Sequence, residues 1–128
     1  MTVIEKVQTI LEGSATVTAL VPATRIRPSG NWQNVAAPYV IHFPVAARSE
    51  HMISGLAALR HYDYYQVSIF ATTISAAKTI YDAVISALDG YQGKFQIRLT
   101  GGSVYVGRDD DLNLEHLVAN FAISGHET

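Results

Sequence analysis

The chain has 128 residues, of which 48% are hydrophobic and only 16% are charged, whereas roughly 25% are charged in typical soluble domains. The net charge of −2 and the pI of about 6.2 exclude the basic footprint of a nucleic-acid-binding domain, whose pI usually exceeds about 9. The absence of cysteine excludes disulfides, thiolate metal sites and a cysteine nucleophile.

The length predicts a single domain over residues 1–128. The N-terminal sequence has a glutamate at position 5 and no long apolar core, so we expect no signal peptide. No apolar run approaches the roughly 18 residues of a membrane span, and no membrane partner is expected.

The first element is predicted to be a helix. Thr2 and Glu5 form the pattern of a capping box, in which a hydroxyl and a carboxylate each bind a free backbone N–H. Apolar residues recur at helical spacing up to Leu11, and Gly13 is expected to end the helix in a left-handed conformation. Residues 14–21 suit a second short helical turn.

Two strands are predicted next. Residues 25–28 suit a short strand, and the turn-rich stretch 29–38 contains the only tryptophan, Trp32. Residues 39–47 alternate as a strand does. Pro44 cannot donate a ladder hydrogen bond, so this strand should be bulged there or lie at an edge of the sheet.

The stretch from Arg48 to Asp63 lacks clean strand alternation and is predicted to be a long connection. Structureless connections beyond about 12–15 residues are uncommon and usually functional or disordered. Its apolar side chains have no obvious place in either neighbouring strand. They either pack as a lid over the domain's own core or contact a neighbouring subunit, and the candidates are Met52, Ile53, Leu56 and Leu59.

A strand over residues 64–71 and a helix over residues 75–88 follow. Thr72 or Thr73 suits the N-cap of this helix, and Gly90 suits its end. The apolar residues of the helix form one stripe, which is typical of an amphipathic helix that faces a core.

The C-terminal third is predicted to be a three-strand meander. Residues 95–99 are predicted to form a strand, and Gly101-Gly102 suits the positive φ angles of a hairpin turn. Residues 104–106 are predicted to form the second strand of this hairpin. The triplet Asp109, Asp110 and Asp111 then interrupts the pattern, and a last strand runs over residues 112–124. The whole pattern predicts an α+β fold: an antiparallel-rich sheet of about five strands with two amphipathic helices packed on one face.

No catalytic, cofactor-binding or metal site is expected. The five histidines show no HxxxH or HExxH spacing on a predicted helix, and no glycine-rich phosphate loop or nucleophile elbow occurs. Asp109, Asp110 and Asp111 lack the alternating ligands and terminal glutamate of a calcium loop. They suit a solvated turn or an acidic contact for a basic partner, and Trp32 is a further candidate contact residue.

The order of elements resembles the small tail-completion, or tail-terminator, proteins of long-tailed bacteriophages and prophages. The resemblance covers nearly the whole chain. It rests on four segments: PYVI at 38–41, YQVSIFA at 65–71, AAKTIYDAVISAL at 76–88 and FAIS at 121–124.

This resemblance implies a structural virion protein without catalytic residues. Members of the family are expected to form a ring, usually a hexamer, at the end of the tail tube, where the ring stops tube polymerisation and forms the head–tail joining surface. The implied partners are further copies of the chain, the major tail tube protein and a head-side connector or stopper protein. The implied location is the virion, after synthesis in the host cytoplasm.

Two alternatives stay open at this point. A head-closure, neck or minor tail protein of similar fold would differ only in the neighbour that it binds. A small α+β ligand-binding or enzyme domain would need a pocket with convergent polar groups, for which His42, Tyr62 and Tyr64 are the candidates.

Overall fold

The computed structural model describes residues 2–28, 37–50, 59–93, 95–100, 104–109 and 113–126. In chain order, the described elements are α1 (Val3–Gly13), α2 (Ala15–Leu20), a short 3-10 helix (Ala23–Arg25), β1 (Ile26–Pro28), β2 (Tyr39–Glu50), β3 (Leu59–Ala71), α3 (Ile74–Leu88), β4 (Phe95–Leu99), β5 (Val104–Asp109) and β6 (Leu114–His126).

The six described strands form one sheet in the order β1-β2-β3-β6-β4, and β5 also pairs with β6. β1 and β2 are parallel, and the other strand pairs are antiparallel. The predicted α+β class is confirmed.

Side-chain caps define the helix ends. The Thr2 hydroxyl accepts from the Glu5 N–H at 3.2 Å, and the Thr73 hydroxyl accepts from the Ala76 N–H at 3.1 Å. The expectation that Gly13 is left-handed is wrong, because α2 begins almost at once after α1. Ser14 links the two helices in an extended conformation, and its hydroxyl caps α2.

Strands β2 and β3 are longer than predicted, so the expectation of a long connection from Arg48 to Asp63 is wrong for residues 48–50 and 59–63, which lie in strands. β2 continues to Glu50, which pairs with Leu59 at the start of β3. On its other side, β3 pairs with β6 as far as His126. The first residues of β3 pair with β2 on one side and with β6 on the other. Main-chain hydrogen bonds do not depend on the polarity of the side chains, so this strand can form without an alternating pattern of apolar residues. Residues 51–58 lie outside the described residues.

β4 and β5 do not form the predicted hairpin, so the three-strand meander is wrong. Both run in the same direction along one edge of β6, with Phe95 opposite Gly125 in β4 and Asp109 opposite Leu114 in β5. β6 has 13 residues, which is enough to pair with both strands in series. This long-range pairing prevails over the local turn preference of Gly101-Gly102, which lies outside the described residues.

The main hydrophobic core lies between the helices and the sheet. The strands contribute alternate buried residues, which include Val40, Tyr65, Val67, Ile69, Leu117, Ala119, Phe121 and Ile123. The helices meet them with Val3, Val7, Leu11, Val17, Ala77, Ile80, Tyr81, Val84 and Leu88. Since each large buried apolar side chain contributes about 1.5–3 kcal/mol, this core is the main source of stability.

Candidate functional site

The structure describes only part of the predicted contact set. Leu59 is the first residue of β3, and Asp109 is the last residue of β5. The remaining candidates lie outside the described residues: Trp32, Met52, Ile53, Leu56, Asp110 and Asp111. The contact role of all of these residues therefore stays a prediction.

An ion pair supports the end of the β5–β6 hairpin that carries Asp109. Nη1 of Arg108 donates to Oε1 of the buried Glu115 at 2.7 Å, and Nη2 of Arg108 donates to Oδ1 of Asn113. Asn113 has a positive φ of 58°, which asparagine tolerates better than most residues. Side-chain bonds as well as strand pairing therefore hold this end of the hairpin in place.

The side of the sheet opposite the main core has its own apolar cluster, and we call it the helix-free face. Because side chains alternate along a strand, residues that alternate with the core residues point to this face. Tyr39, Ile41 and Leu114 are buried there, with Phe43 and Phe70 partly buried beside them. No residue of a described helix belongs to this cluster.

Three stacked rings cross the helix-free face. Tyr39, Phe70 and His116 lie in register on β2, β3 and β6. The ring centroids of Tyr39 and Phe70 are 4.7 Å apart, and those of Phe70 and His116 are 4.2 Å apart. Since such ring pairs contribute about 0.5–1.5 kcal/mol beyond burial, the row ties the three strands together.

His116 takes part in this row as a neutral ring. Burial lowers the pKa of its imidazole, so the ring is uncharged near pH 7. Its Nε2 is buried and has no hydrogen-bond partner in the part of the chain that the structure describes. The helix-free face therefore gains an aromatic surface from His116 and no positive charge.

The helix-free face is poor in charge. The described side chains that alternate onto it from the central strands are uncharged near pH 7: Gln66, Ser68 and Phe70 of β3, and His116, Val118, Asn120, Ala122 and Ser124 of β6. Two described cations alternate onto this side from the outer strands: Arg27 of β1, opposite Ile41, and Arg98 of β4, opposite Ala122. Depletion of charge together with aromatic groups is typical of the centre of a protein–protein interface.

Two exposed apolar side chains lie at aligned β-bulges on adjacent strands. The register between β2 and β3 slips between Pro44 and Ala46, and the register between β3 and β6 slips at the same level. The predicted bulge at Pro44 is thus confirmed. Val45, which is the extra residue in β2, is 57% exposed, and Tyr64, which pairs with Ala46, is 54% exposed. Both exposed side chains therefore lie in the bulged segment of the sheet.

Val45 and Tyr64 are contact candidates that sequence reasoning missed, because both continue the alternation of an ordinary strand. Two signals point towards them. Pro44 marks the bulge that re-aims its neighbours, and residues 39–45 are apolar at both odd and even positions apart from His42. Apolar residues on both faces of a strand indicate that both faces are covered.

His42, which was a candidate for a ligand pocket, is bonded inside the main core. Its Nδ1 accepts from the Tyr65 hydroxyl at 2.7 Å, and its Nε2 donates to Oε1 of Gln8 at 2.6 Å. The Gln8 amide N–H donates to the Ile26 carbonyl at 2.7 Å, which leaves Oε1 as the acceptor and places the proton on Nε2 of His42. Burial lowers the pKa of His42 to about 4.

These bonds separate the members of the predicted pocket. His42 is fully buried with both ring nitrogens engaged, whereas Tyr64 is exposed. The side chain of Tyr62 lies outside what the structure describes. Among the described residues, no group of three or more histidines, aspartates and glutamates is placed to hold a metal ion. None of the described helices has the length and apolar character needed to cross a membrane.

Comparison with known proteins then identifies the family. The model of the family "Tail completion protein gp17" matches residues 5–123. The chain belongs to this family. This tail completion protein is therefore a structural component of a phage tail, and it is located in the virion.

A solved structure has the same fold as this tail completion protein. The matching chain comes from a structure described as "Virion of native gene transfer agent (GTA) particle". The TM-score is 0.73 at 17% sequence identity, and the match covers 99% of this chain and 100% of that chain. At this identity the similarity shows the fold alone. No curated protein sequence matches the chain.

Proposed function

We propose that this tail completion protein forms a ring, the hexamer that its family resemblance implies, on the end of the tail tube, stops tube polymerisation and provides the head–tail joining surface. The observation that carries the proposal is the family match over residues 5–123. The fold shared with a chain of a virion particle supports it. The protein acts by binding its neighbours and carries out no reaction.

The helix-free face gives this proposal a physical basis. A ring forms when each subunit binds the next through two different surfaces and the rotation closes. The helix-free face offers apolar and amide groups, with no charge on the described side chains of its central strands. Such a surface loses little solvation when it is covered, because buried charges are the costly groups.

Three partners follow from the proposal. Further copies of the chain complete the ring, the major tail tube protein binds one side of it, and a head-side connector or stopper protein binds the other. The acidic residues Asp109, Asp110 and Asp111 are proposed to contact a basic neighbour, and the ion pair of Arg108 with Glu115 supports Asp109 from the base of the hairpin.

The test uses the purified full-length chain and tubes assembled from the major tail tube protein. Light scattering after size-exclusion chromatography gives the mass of the free protein over a concentration series. Electron microscopy of the tubes then shows whether their ends carry rings and whether their length stops increasing. Capped tubes of arrested length support the proposal.

Tubes that keep growing in excess protein would overturn the proposed function. Binding to the head-side connector without binding to tubes would instead assign the protein to head closure or the neck. These results distinguish a tail-terminator role from a head-closure or neck role, and they need only the wild-type protein.

A further inference from the structure

The segment between α3 and β4, residues 89–93, lies along the outer edge of β4, and we call it the edge strap. Among the described strands, β4 pairs only with β6, so every second residue of β4 directs its N–H and C=O away from β6. The N–H of Thr100 donates to β6, so the outward residues are Phe95, Ile97 and Leu99. An open edge of this kind can pair with a strand of another molecule.

The edge strap occupies four of these outward groups. The Asp89 carboxylate accepts from the Leu99 N–H at 2.8 Å. Three main-chain bonds complete the set, from the Gly90 N–H to the Ile97 carbonyl at 2.9 Å, from the Ile97 N–H to the Tyr91 carbonyl at 3.1 Å and from the Gly93 N–H to the Phe95 carbonyl at 3.0 Å. The strap therefore takes the place of a neighbouring strand along β4.

Contacts away from β4 fix the path of the edge strap. Gly90 has a φ of 81°, in the left-handed region that favours glycine. The Tyr91 ring packs against the main core, and Nζ of Lys6 on α1 lies 5.2 Å from its centroid. Gly93 leaves room for this ring, because a Cβ there would lie 2.8 Å from the Tyr91 hydroxyl. The strap is thus attached to the core as well as to β4.

The four groups that the edge strap occupies are groups that two copies of β4 would exchange. In an antiparallel pair centred on Ile97, this residue faces its own copy, and Phe95 faces Leu99 of the second copy. Arg98 would then lie opposite Gln96 and not opposite another arginine, so no like charges would face each other. A second copy of the chain therefore fits the β4 edge when the strap is absent.

We propose that the edge strap prevents two copies of this chain from pairing through β4, and that the Asp89 carboxylate holds the strap in place. Of the four bonds, only that of Asp89 comes from a side chain, so a substitution can remove it and leave the main chain unchanged. The inference does not depend on the proposed ring. It implies that contacts between copies of the chain use surfaces other than this edge.

Hydrogen exchange measures whether Asp89 closes the edge. In Asp89→Ala, we expect the Leu99 amide to exchange roughly tenfold faster than in the wild type, relative to the Val67 amide of the main core. Asp89→Asn keeps an oxygen acceptor and should keep the slow exchange. Two controls should also keep it: Asp82→Ala removes an exposed carboxylate of α3, and Thr73→Ala removes the cap of α3. An unchanged ratio in Asp89→Ala would overturn the proposal.

Cross-linking tests the pairing of two copies. The chain has no cysteine, so Gln96→Cys and Arg98→Cys each place one thiol on β4. With Asp89→Ala added to both, an oxidised mixture of the two variants should give roughly fivefold more disulfide-linked dimer than either variant alone, because these positions face each other in the expected register. The mixture with Asp89 intact should stay largely monomeric.

The yields of dimer decide the inference. Equal yields from the mixture and the single variants would overturn it, because the copies would then meet through another surface. Equal yields with and without Asp89 would also overturn it, since the edge strap would not be what keeps the copies apart. Neither result depends on whether the protein caps tail tubes, so a failure of the proposed function leaves the inference in place.

Discussion

The two faces of the sheet are made by the same strands but differ in what covers them. In β3, Tyr65, Val67 and Ile69 are completely buried against the helices. On the opposite side Ser68 is also buried, but Gln66 and Phe70 are only partly buried. Alternation along one strand can therefore separate two tasks. The helix-covered face holds the main core, whereas the helix-free face combines the buried Tyr39, Ile41 and Leu114 with side chains that are only partly buried. We propose that the exposed part of the helix-free face contacts neighbouring subunits.

The largest expected effect comes from making the same Phe→Ala substitution on each face of the sheet and comparing the loss of stability. Phe121→Ala, in the main core, should cost about 3–5 kcal/mol of unfolding free energy, because it leaves a cavity in a fully packed site. Phe70→Ala, on the helix-free face, should cost about 1–2 kcal/mol, because the ring is partly exposed and mainly loses its stacking. Urea unfolding of both variants measures the difference. Equal costs would contradict the assignment of stability to one face.

A second prediction uses the pH dependence of stability. Burial holds the pKa of His42 at about 4, below its ordinary value of 6.5. The unfolded chain therefore takes up a proton between pH 6.5 and 4 that the folded chain does not, and stability falls as the pH falls through this range. For one histidine the loss at pH 4, relative to pH 7, is about 3 kcal/mol.

His42→Asn provides the comparison for this prediction. The variant should be less stable than the wild type at pH 7, because the bonds to Tyr65 and Gln8 are lost or weakened. Its stability should then change less between pH 7 and pH 4, since the carboxylates titrate equally in both proteins. Equal slopes in wild type and variant would show that His42 is not the buried neutral group described above.

A third prediction concerns the ion pair at the β5–β6 hairpin. Arg108→Ala removes the cation beside the buried carboxylate of Glu115, and we expect a loss of about 1–3 kcal/mol, reduced from the fully buried case because the Arg108 side chain is 38% exposed. Arg98→Ala, on an exposed position of the neighbouring strand β4, is the matched control and should change stability by less than about 0.5 kcal/mol. Thermal unfolding of the two variants measures both effects, and equal losses would show that the pair with Glu115 contributes nothing.

The smallest expected effect concerns the N-terminal cap of α3. Thr73→Ala removes the N-cap of α3 and should cost about 1 kcal/mol. Thr79→Ala, in the exposed interior of the same helix, should be neutral or slightly stabilising, because alanine has the higher helix propensity. Urea unfolding of the two variants provides the measurement. If both variants lose the same stability, the hydroxyl of Thr73 does not act as a cap.

Local patterns were sufficient to predict the elements but not all of their pairings. The helices, the bulge at Pro44 and the α+β class follow from capping residues, spacing and the chemistry of proline. The pairing of β4 and β5 with successive parts of β6 does not follow from local patterns. Gly101-Gly102 favours a hairpin between β4 and β5, whereas the partner that both strands take, β6, lies farther along the chain.

The candidate surface was harder to predict than the fold. The apolar residues between Arg48 and Asp63 are recognisable as contact candidates because they lack an alternating pattern. Val45 and Tyr64 fit such a pattern and are nevertheless exposed. The exposure of Val45 and Tyr64 depends on the register of β3 against both of its neighbours, β2 and β6. Spacing within one strand carries no information about that register.

The most direct test of the division between the two faces is the mass of the double variant Val45→Ser/Tyr64→Ser by light scattering, beside Ile74→Ser as the control. We expect the double variant to stay folded, with an unchanged unfolding midpoint, but to have the mass of a monomer where the wild type and Ile74→Ser are oligomers. A double variant that assembles like the wild type would contradict the proposal that these exposed side chains contact neighbouring subunits.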